Sequence, residues 1–374
     1  MNRTLSLTEL AQGRDPAAPI TGESMALTDG DDDPLVIPVS IGGVSARAVL
    51  DCGATRSLVD ARFAALQGIK AAAARRLIGF TGNASAGLAP PLDIVAGPVR
   101  LPSIEPLIFD LEGIARAART MFQAVLGREL FLQAVVTIDP DAQRLQLGHD
   151  ADAGEGEALA VAQSSERHFS TEIELRDGLR VEAVIDLGST VPMYLSQRLV
   201  QQHGLFAGLA RGSTAAIGIE GIAISELGRM PQLKLGNLEL TDIPFAVPPQ
   251  WNFAAPVVLG LPVLRRFHSQ LDFGRGRMRL RRARATDRPF MRDRSGLSVI
   301  PSGKGLRVVH VAASSPAAQA GLVPGDLIIT IDEGEGAVRP NNTHRGMSNR
   351  APGTRLLLLV EGRRTHELVL ADYY

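Results

Sequence analysis

A mainly β protein, with two related lobes and a small α+β module behind them, is the fold class that this sequence predicts. Three observations predict it. The first is an internal repeat. Residues 46–55 read ARAVLDCGAT and residues 181–190 read VEAVIDLGST, which sets Asp51 opposite Asp186 at a spacing of 186 − 51 = 135. Leu126-Gly127 returns as Leu259-Gly260, and IDPDAQRLQL (138–147) returns as LDFGRGRMRL (271–280), each 133 residues further on. Between these anchors, Leu77-Ile78-Gly79-Phe80-Thr81-Gly82 resembles Ala216-Ile217-Gly218-Ile219-Glu220-Gly221. Four landmarks in one order at near-constant spacing mark two copies of one unit, 35–150 and 165–285, behind an N-terminal extension of residues 1–34.

The second observation is the local pattern inside each copy. Residues 35–41 (LVIPVSI) and 169–175 (FSTEIEL) run or alternate apolar over strand length, and each feeds a turn, at Gly42-Gly43 or Asp177-Gly178. Ala48-Val49-Leu50 and Ala183-Val184-Ile185 are short β-prone runs that stop at Asp-x-Gly, where glycine permits a sharp turn. Each carboxylate therefore sits on a turn at a strand end. Helical signal is sparse, with short helices expected at 59–66, 196–202 and 114–123. The third observation is a shift in composition after about residue 285. A basic stretch at 281–289 reads as a linker, and the tail beyond it reads as strand 306–311, helix 315–320, strand 326–331, and strands 356–360 and 366–370.

Bulk composition limits the function classes. A chain of 374 residues exceeds what one core usually supports, so more than one folded unit is expected. With 39 Lys plus Arg against 40 Asp plus Glu, no overall field gathers nucleic acid or an anionic membrane, and neutral or apolar partners fit better. The single cysteine, Cys52, excludes an internal disulfide and a multi-cysteine metal site. The opening residues hold no apolar run of about 7 to 15 residues, so no export signal is expected from them. No run of about 18 apolar residues predicts a membrane span. The seven histidines occur singly without ligand spacing, and no Gly-x-Ser-x-Gly turn is present. No metal, no cofactor and no serine nucleophile are expected.

Two carboxylates on equivalent turns of two related units can meet at a pseudo-twofold axis. Like charges at such a distance cannot both ionise, so the pair shares one proton. The ionised member then acts as general base on a water, and the protonated member donates to a substrate carbonyl. With Asp51-Cys52-Gly53-Ala54-Thr55, Asp186-Leu187-Gly188-Ser189-Thr190, Val125-Leu126-Gly127 and Val258-Leu259-Gly260 all in place, residues 35–285 resemble the pepsin/retropepsin-like aspartic peptidases. The resemblance implies a bilobal pair of acid-protease-like β-barrels with Asp51 and Asp186 catalytic. Gly53, Ala54, Thr55, Gly188, Ser189 and Thr190 would support their turns. It also implies a glycine-rich flap over a peptide cleft, at Gly79, Phe80, Thr81 and Gly82, with Gly218 in its second-lobe partner. Family members usually carry Thr or Ser directly after each catalytic Asp. Here Cys52 and Leu187 stand there, so the opposing backbone groups are expected to lack partners, at roughly 1 to 3 kcal/mol each.

Gly305-Leu306-Arg307-Val308, Ser315-Pro316-Ala317-Ala318-Gln319-Ala320-Gly321-Leu322 and Pro324-Gly325-Asp326-Leu327-Ile328 make residues 289–374 similar to the PDZ domains attached to bacterial proteases. That likeness implies that Gly296, Leu297, Ser298 and Val299 form a carboxylate-binding loop and edge strand for the C-termini of protein partners. It also implies work in the cell envelope, hence the periplasm, with the cytoplasm as the literal reading of the N-terminus. Two readings follow: an aspartic endopeptidase acting as a monomer on peptides and proteins, or a weakened peptidase fold serving as a peptide-binding scaffold.

Overall fold

The computed structural model describes residues 25–27, 30, 33–79, 82–150, 155–332, 334, 336–338, 347–362 and 364–374. Strand outweighs helix, 49% to 13%, so the chain is mainly β. Among the described residues the strands form four sheets.

In the first half, Val36–Ile41 turns Ile37, Val39 and Ile41 inward. It pairs antiparallel with Val44–Leu50 through a two-residue loop, Gly42-Gly43, whose positive φ angles (58° and 84°) are those a tight hairpin needs. Val44–Leu50 then runs parallel to Ala124–Leu126, which pairs antiparallel with Leu58–Asp60. The second half has the same arrangement: Leu179–Asp186 lies parallel to Val257–Gly260, itself antiparallel to Met193–Leu195. The repeated Leu-Gly pairs are thus the ends of the strands that flank Leu50 and Asp186. Glycine is required there because the next turn crosses at backbone contact. A Cβ on Gly127 would stand 2.7 Å from the Ala54 carbonyl oxygen, and one on Gly260 would overlap the Val191 carbonyl oxygen.

A six-stranded sheet joins the halves. Val135–Asp139 pairs with Phe267–Asp272, setting Val136 beside Leu271, and Arg144–Gly148 and Arg277–Arg282 flank them. These are the two hairpins that repeat in the sequence. Val136, Ile138, Leu271 and Leu280 belong to the same buried cluster as Leu50, Cys52, Ile185 and Leu187, so one core runs beneath both Asp turns.

The helices are short and begin on polar caps. Asp60 accepts the Phe63 N–H at 2.9 Å to start Ala61–Leu66, and Ser196 accepts the Leu199 N–H at 3.2 Å to start Gln197–His203. The helix expected at 114–123 is instead Glu112–Ala117. Arg119 adopts a left-handed φ of 52°, and Ala124–Leu126 is drawn into the sheet. The basic stretch at 281–289 is packed rather than free. Residues 281 and 282 end a sheet strand, and buried Arg266 donates to the Ala285 carbonyl at 3.1 Å while lying 4.2 Å over the Phe290 ring.

The C-terminal residues form a five-stranded sheet in the order Leu297–Ser302, Gly305–Val311, Leu327–Asp332, Arg355–Val360, Arg364–Val369, with its own apolar cluster. The helix Pro316–Gln319 starts on Ser315, which accepts the Ala318 N–H. Residues 341–346, inside the polar segment that departs from the PDZ pattern, lie outside the described residues, as do Met1–Ser24 of the expected N-terminal extension.

Two glycine substitutions separate close approach from mere flexibility. Gly260→Ala is expected to cost more than about 3 kcal/mol, because the new Cβ meets backbone that cannot yield. Gly113→Ala, at an exposed position of the helix Glu112–Ala117 with open space around it, is expected to gain up to about 1 kcal/mol. Thermal denaturation of the two variants checks both signs.

Candidate active site

The turn after each buried strand aims a carboxyl at its counterpart. The Asp51 N–H donates to the Leu126 carbonyl at 3.0 Å, and Asp51 Oδ1 accepts the Ala54 N–H at 2.9 Å. Asp186 Oδ1 accepts the Gly188 N–H at 2.8 Å and the Ser189 N–H at 3.2 Å. Each carboxyl lies over the glycine of the opposite turn. A Cβ on Gly53 would stand 2.6 Å from Asp186 Cγ, and one on Gly188 would stand 2.5 Å from Asp51 Cγ. The two acids hydrogen-bond to each other. Both remain partly exposed, while Cys52 and Leu187 beneath them are each 1% exposed.

This setting displaces proton affinities. Burial pushes the Asp51 carboxyl above its ordinary range, against the opposing pull of its hydrogen bond to Asp186 and of the Ala54 and Gly53 N–H groups. Asp186 is pushed up further, by burial first and by the Asp51 charge second. Both carboxyls are thus pushed toward the protonated form, and the two titrate as one coupled pair. Burial, and then the Asp186 charge, also raise the Cys52 thiol well above its ordinary range, so this thiol stays protonated and poorly nucleophilic.

The expectation of unpaired backbone beside both turns is corrected on one side. The Cys52 thiol donates to the Ile185 carbonyl at 3.1 Å, across the junction of the two halves. Leu187, its counterpart, has no polar atom to offer Leu50 and packs in the common core. The brace is therefore one hydrogen bond and one apolar contact.

Of the sequence-derived support residues, Gly53, Ala54, Gly188 and Ser189 surround the carboxyls, and the Ser189 hydroxyl donates to the Val191 carbonyl at 3.1 Å. Thr55 and Thr190 are exposed. The hairpins Ala73–Ile78/Asn83–Leu88 and Gly212–Gly218/Gly221–Leu235 bring their tips together: Glu220 packs against Gly79, Gly82 and Gly218. Phe80 and Thr81 lie outside the described residues.

Gly296, Leu297, Ser298 and Val299 are not part of this site. The N–H groups of Ser295 and Gly296 are bonded to the Asp293 carboxylate at 2.8 and 3.0 Å, and that of Leu297 to the Ser295 hydroxyl at 3.0 Å. Leu297–Ser302 is the edge strand of its sheet, and Ser298 Oγ accepts the Ala215 N–H at 2.9 Å from the second-half hairpin.

Other contributors emerge only in three dimensions. Ser57, fully buried, accepts the Gly127 N–H at 3.0 Å and donates to Glu129, tying the first Asp turn to its companion strand. Tyr194 lies close enough that burial, Asp186 and Glu220 together raise its phenol. Asn252 Nδ2 donates to the Gly79 and Gly82 carbonyls at 3.0 and 3.2 Å. Among the described residues, no group of three or more His, Cys, Asp or Glu side chains is placed to hold a metal ion, and no helix is long and apolar enough to cross a membrane.

Residues 37–130, about a quarter of the chain, match the family described as aspartyl protease. The match contains Asp51 and Leu126-Gly127, and it supports an aspartyl protease-like domain in the first half. No curated protein matches the chain.

The raised pair has a signed effect on stability. A carboxyl whose folded pKa exceeds its ordinary 3.8 favours folding below that value, and this stability is lost as pH rises from there through the folded pKa. Asp186→Asn removes the loss. The variant is expected to melt a few degrees above the wild type at pH 7, and the difference should vanish near pH 3. Thermal scans across pH measure it.

Proposed function

We propose that the chain is an aspartic-type endopeptidase of the two-lobed, pepsin/retropepsin-like kind, with residues 35–150 and 165–285 as its lobes. The observation that carries this reading is the reciprocal seating of the two carboxyls, each over the glycine of the opposite turn and hydrogen-bonded to the other. Ionised Asp51 takes a proton from a water held between the carboxyls as that water's oxygen bonds to the scissile carbonyl carbon. Asp186 gives its proton to the carbonyl oxygen, which becomes the second hydroxyl of a gem-diol. Collapse returns one hydroxyl proton to Asp186, the amine nitrogen takes the proton held by Asp51, and the C–N bond breaks. Neither side chain is acylated at any stage. The family match over the first half and the same strand order around Asp186 in the second support this assignment.

The C-terminal unit, residues 289–374, is the part that resembles PDZ domains. Its proposed ligand is a protein C-terminus added to the Leu297–Ser302 edge. Because Asp293 already occupies the loop N–H groups, such a carboxylate binds only if Asp293 gives way.

Hydrolysis of an unbiased peptide mixture is expected to peak at acidic to mildly acidic pH and to fall at least about a thousandfold in both Asp51→Asn and Asp186→Asn. Metal chelators should leave it unchanged. Because both acids lie on one chain, specific activity should not vary with enzyme concentration. Activity that survives Asp51→Asn would remove the assignment. Binding of a statine-type inhibitor without turnover would select the second reading, a peptide-binding scaffold, which the missing hydroxyl at Leu187 favours.

Leu187→Thr probes that brace directly. Its hydroxyl would face the Leu50 carbonyl as Cys52 faces Ile185, and kcat is expected to rise several-fold. An unchanged or lower kcat would mean that the apolar contact already holds the turn.

A further inference from the structure

The apolar layers beside the two acids are covered in different ways. In the first half, Val49, Leu58 and Val125 form a cluster with Ala54, which is three residues beyond Asp51. Its cover is Leu111, Ala115 and Phe122, around the helix Glu112–Ala117. That helix lies between the strands Leu107–Phe109 and Ala124–Leu126.

The second half reproduces the layer without the helix. Val184, Tyr194 and Val258 form it, with Tyr194 paired to Val258 as Leu58 is to Val125. Between Leu238–Val247 and Val257–Gly260 the chain makes an irregular loop that carries Trp251 and Phe253 onto the layer. The rest of the cover comes from the far end of the chain. Tyr374, 6% exposed, is a member of this cluster, and Tyr373 packs against it. Both rings stand over Gly212, where a Cβ would lie 3.1 Å from each.

The C-terminal unit holds the two rings in place from its own side. The Tyr373 hydroxyl donates to Asp293 at 3.2 Å, Asp372 pairs with Arg294 at 2.6 Å and Arg292 at 3.2 Å, and the Ala371 N–H donates to the Arg294 carbonyl. On the opposite side, the loop that shares the cluster is pinned by the Trp251 indole N–H to the Ala255 carbonyl at 3.0 Å. Its Asn252 reaches over to the Gly79 and Gly82 carbonyls of the first-half hairpin.

We propose that Tyr373 and Tyr374 are positioning residues of the peptidase: they complete the second-half layer beside Asp186 and hold the loop whose Asn252 seats the hairpin of the opposite half. The C-terminal unit is then built into the catalytic scaffold, and removing it exposes the second-half layer, whose first-half counterpart Glu112–Ala117 covers. The kinetic consequence rests on the endopeptidase reading; the structural one does not.

Trp251 is the chain's one tryptophan, so its emission reports on this cluster alone. The test compares the full chain with a chain ending at Asp372, with Tyr374→Ala, Tyr374→Phe and Asn252→Ala. Hydrogen exchange is followed at the hairpin Ala73–Ile78/Asn83–Leu88, which belongs to the other half. Loss of Tyr374 is expected to red-shift Trp251 emission, to speed exchange at that hairpin on the order of tenfold, and to lower kcat/KM on short peptides without moving the pH optimum. Tyr374→Phe should restore all three. Asn252→Ala should speed hairpin exchange while leaving Trp251 emission in place. Unchanged Trp251 emission and hairpin exchange in the shortened chain would overturn the inference, as would unchanged hairpin exchange in Asn252→Ala if the shortened chain does not fold. If the wild type cleaves nothing, the emission and exchange readouts still decide it, and the endopeptidase reading alone fails.

Discussion

Two carboxyls of like charge are held together over the junction of two halves, each in the space that a side chain on the opposite turn would fill. Ionising both at once would drive them apart, since burial and mutual repulsion both oppose a second negative charge in the pair. Much of the surrounding structure can be understood as what prevents that separation. The six-stranded sheet fuses the halves below the turns, the parallel companion strands grip Leu50 and Asp186 from the side, and Ser57 with Glu129 ties the first turn to Gly127. Mutual approach and raised proton affinity are one fact seen twice, because the geometry that brings the acids together is what leaves a single proton between them.

The brace under the pair is unequal. On one side a thiol donates across the junction to Ile185; on the other, leucine fills the matching space in the common core. A thiol is a weaker donor than a hydroxyl, and leucine contributes only packing, so stiffness here comes from close-packed apolar contacts more than from hydrogen bonds. Such a junction resists distortion well. It offers no polar side-chain partner on the Leu187 side.

What was legible in the sequence follows from backbone constraint. Asp51, Asp186 and the paired Leu-Gly ends could be found because glycine alone fits where two turns cross, and that demand repeats with the unit. The hairpins of the shared sheet are visible because IDPDAQRLQL and LDFGRGRMRL recur at the same spacing as the other landmarks. Asn252, Tyr374 and the Ser57–Glu129 link were not, because each acts on a partner far away in the chain through a side chain type common on any surface. By its charge alone the stretch at 281–289 reads as a linker, but Arg266, elsewhere in the chain, packs this segment down through its carbonyls and the Phe290 ring. The loop at Ser295 to Leu297 had the glycine that a carboxylate nest requires, yet Asp293, three residues before Gly296, supplies the carboxylate itself.

The central claim is that one proton is shared between Asp51 and Asp186 and that this shared state performs hydrolysis. Carbon-13 NMR of chains labelled at aspartate Cγ, with assignments from the two Asn variants, measures it most directly when run beside the pH dependence of peptide cleavage. The account predicts two coupled titrations, the upper one well above the ordinary carboxylate range, with the cleavage rate falling on the same curve as that proton leaves. Two independent titrations near 3.8, or a rate that falls at a pH where neither resonance moves, would contradict it.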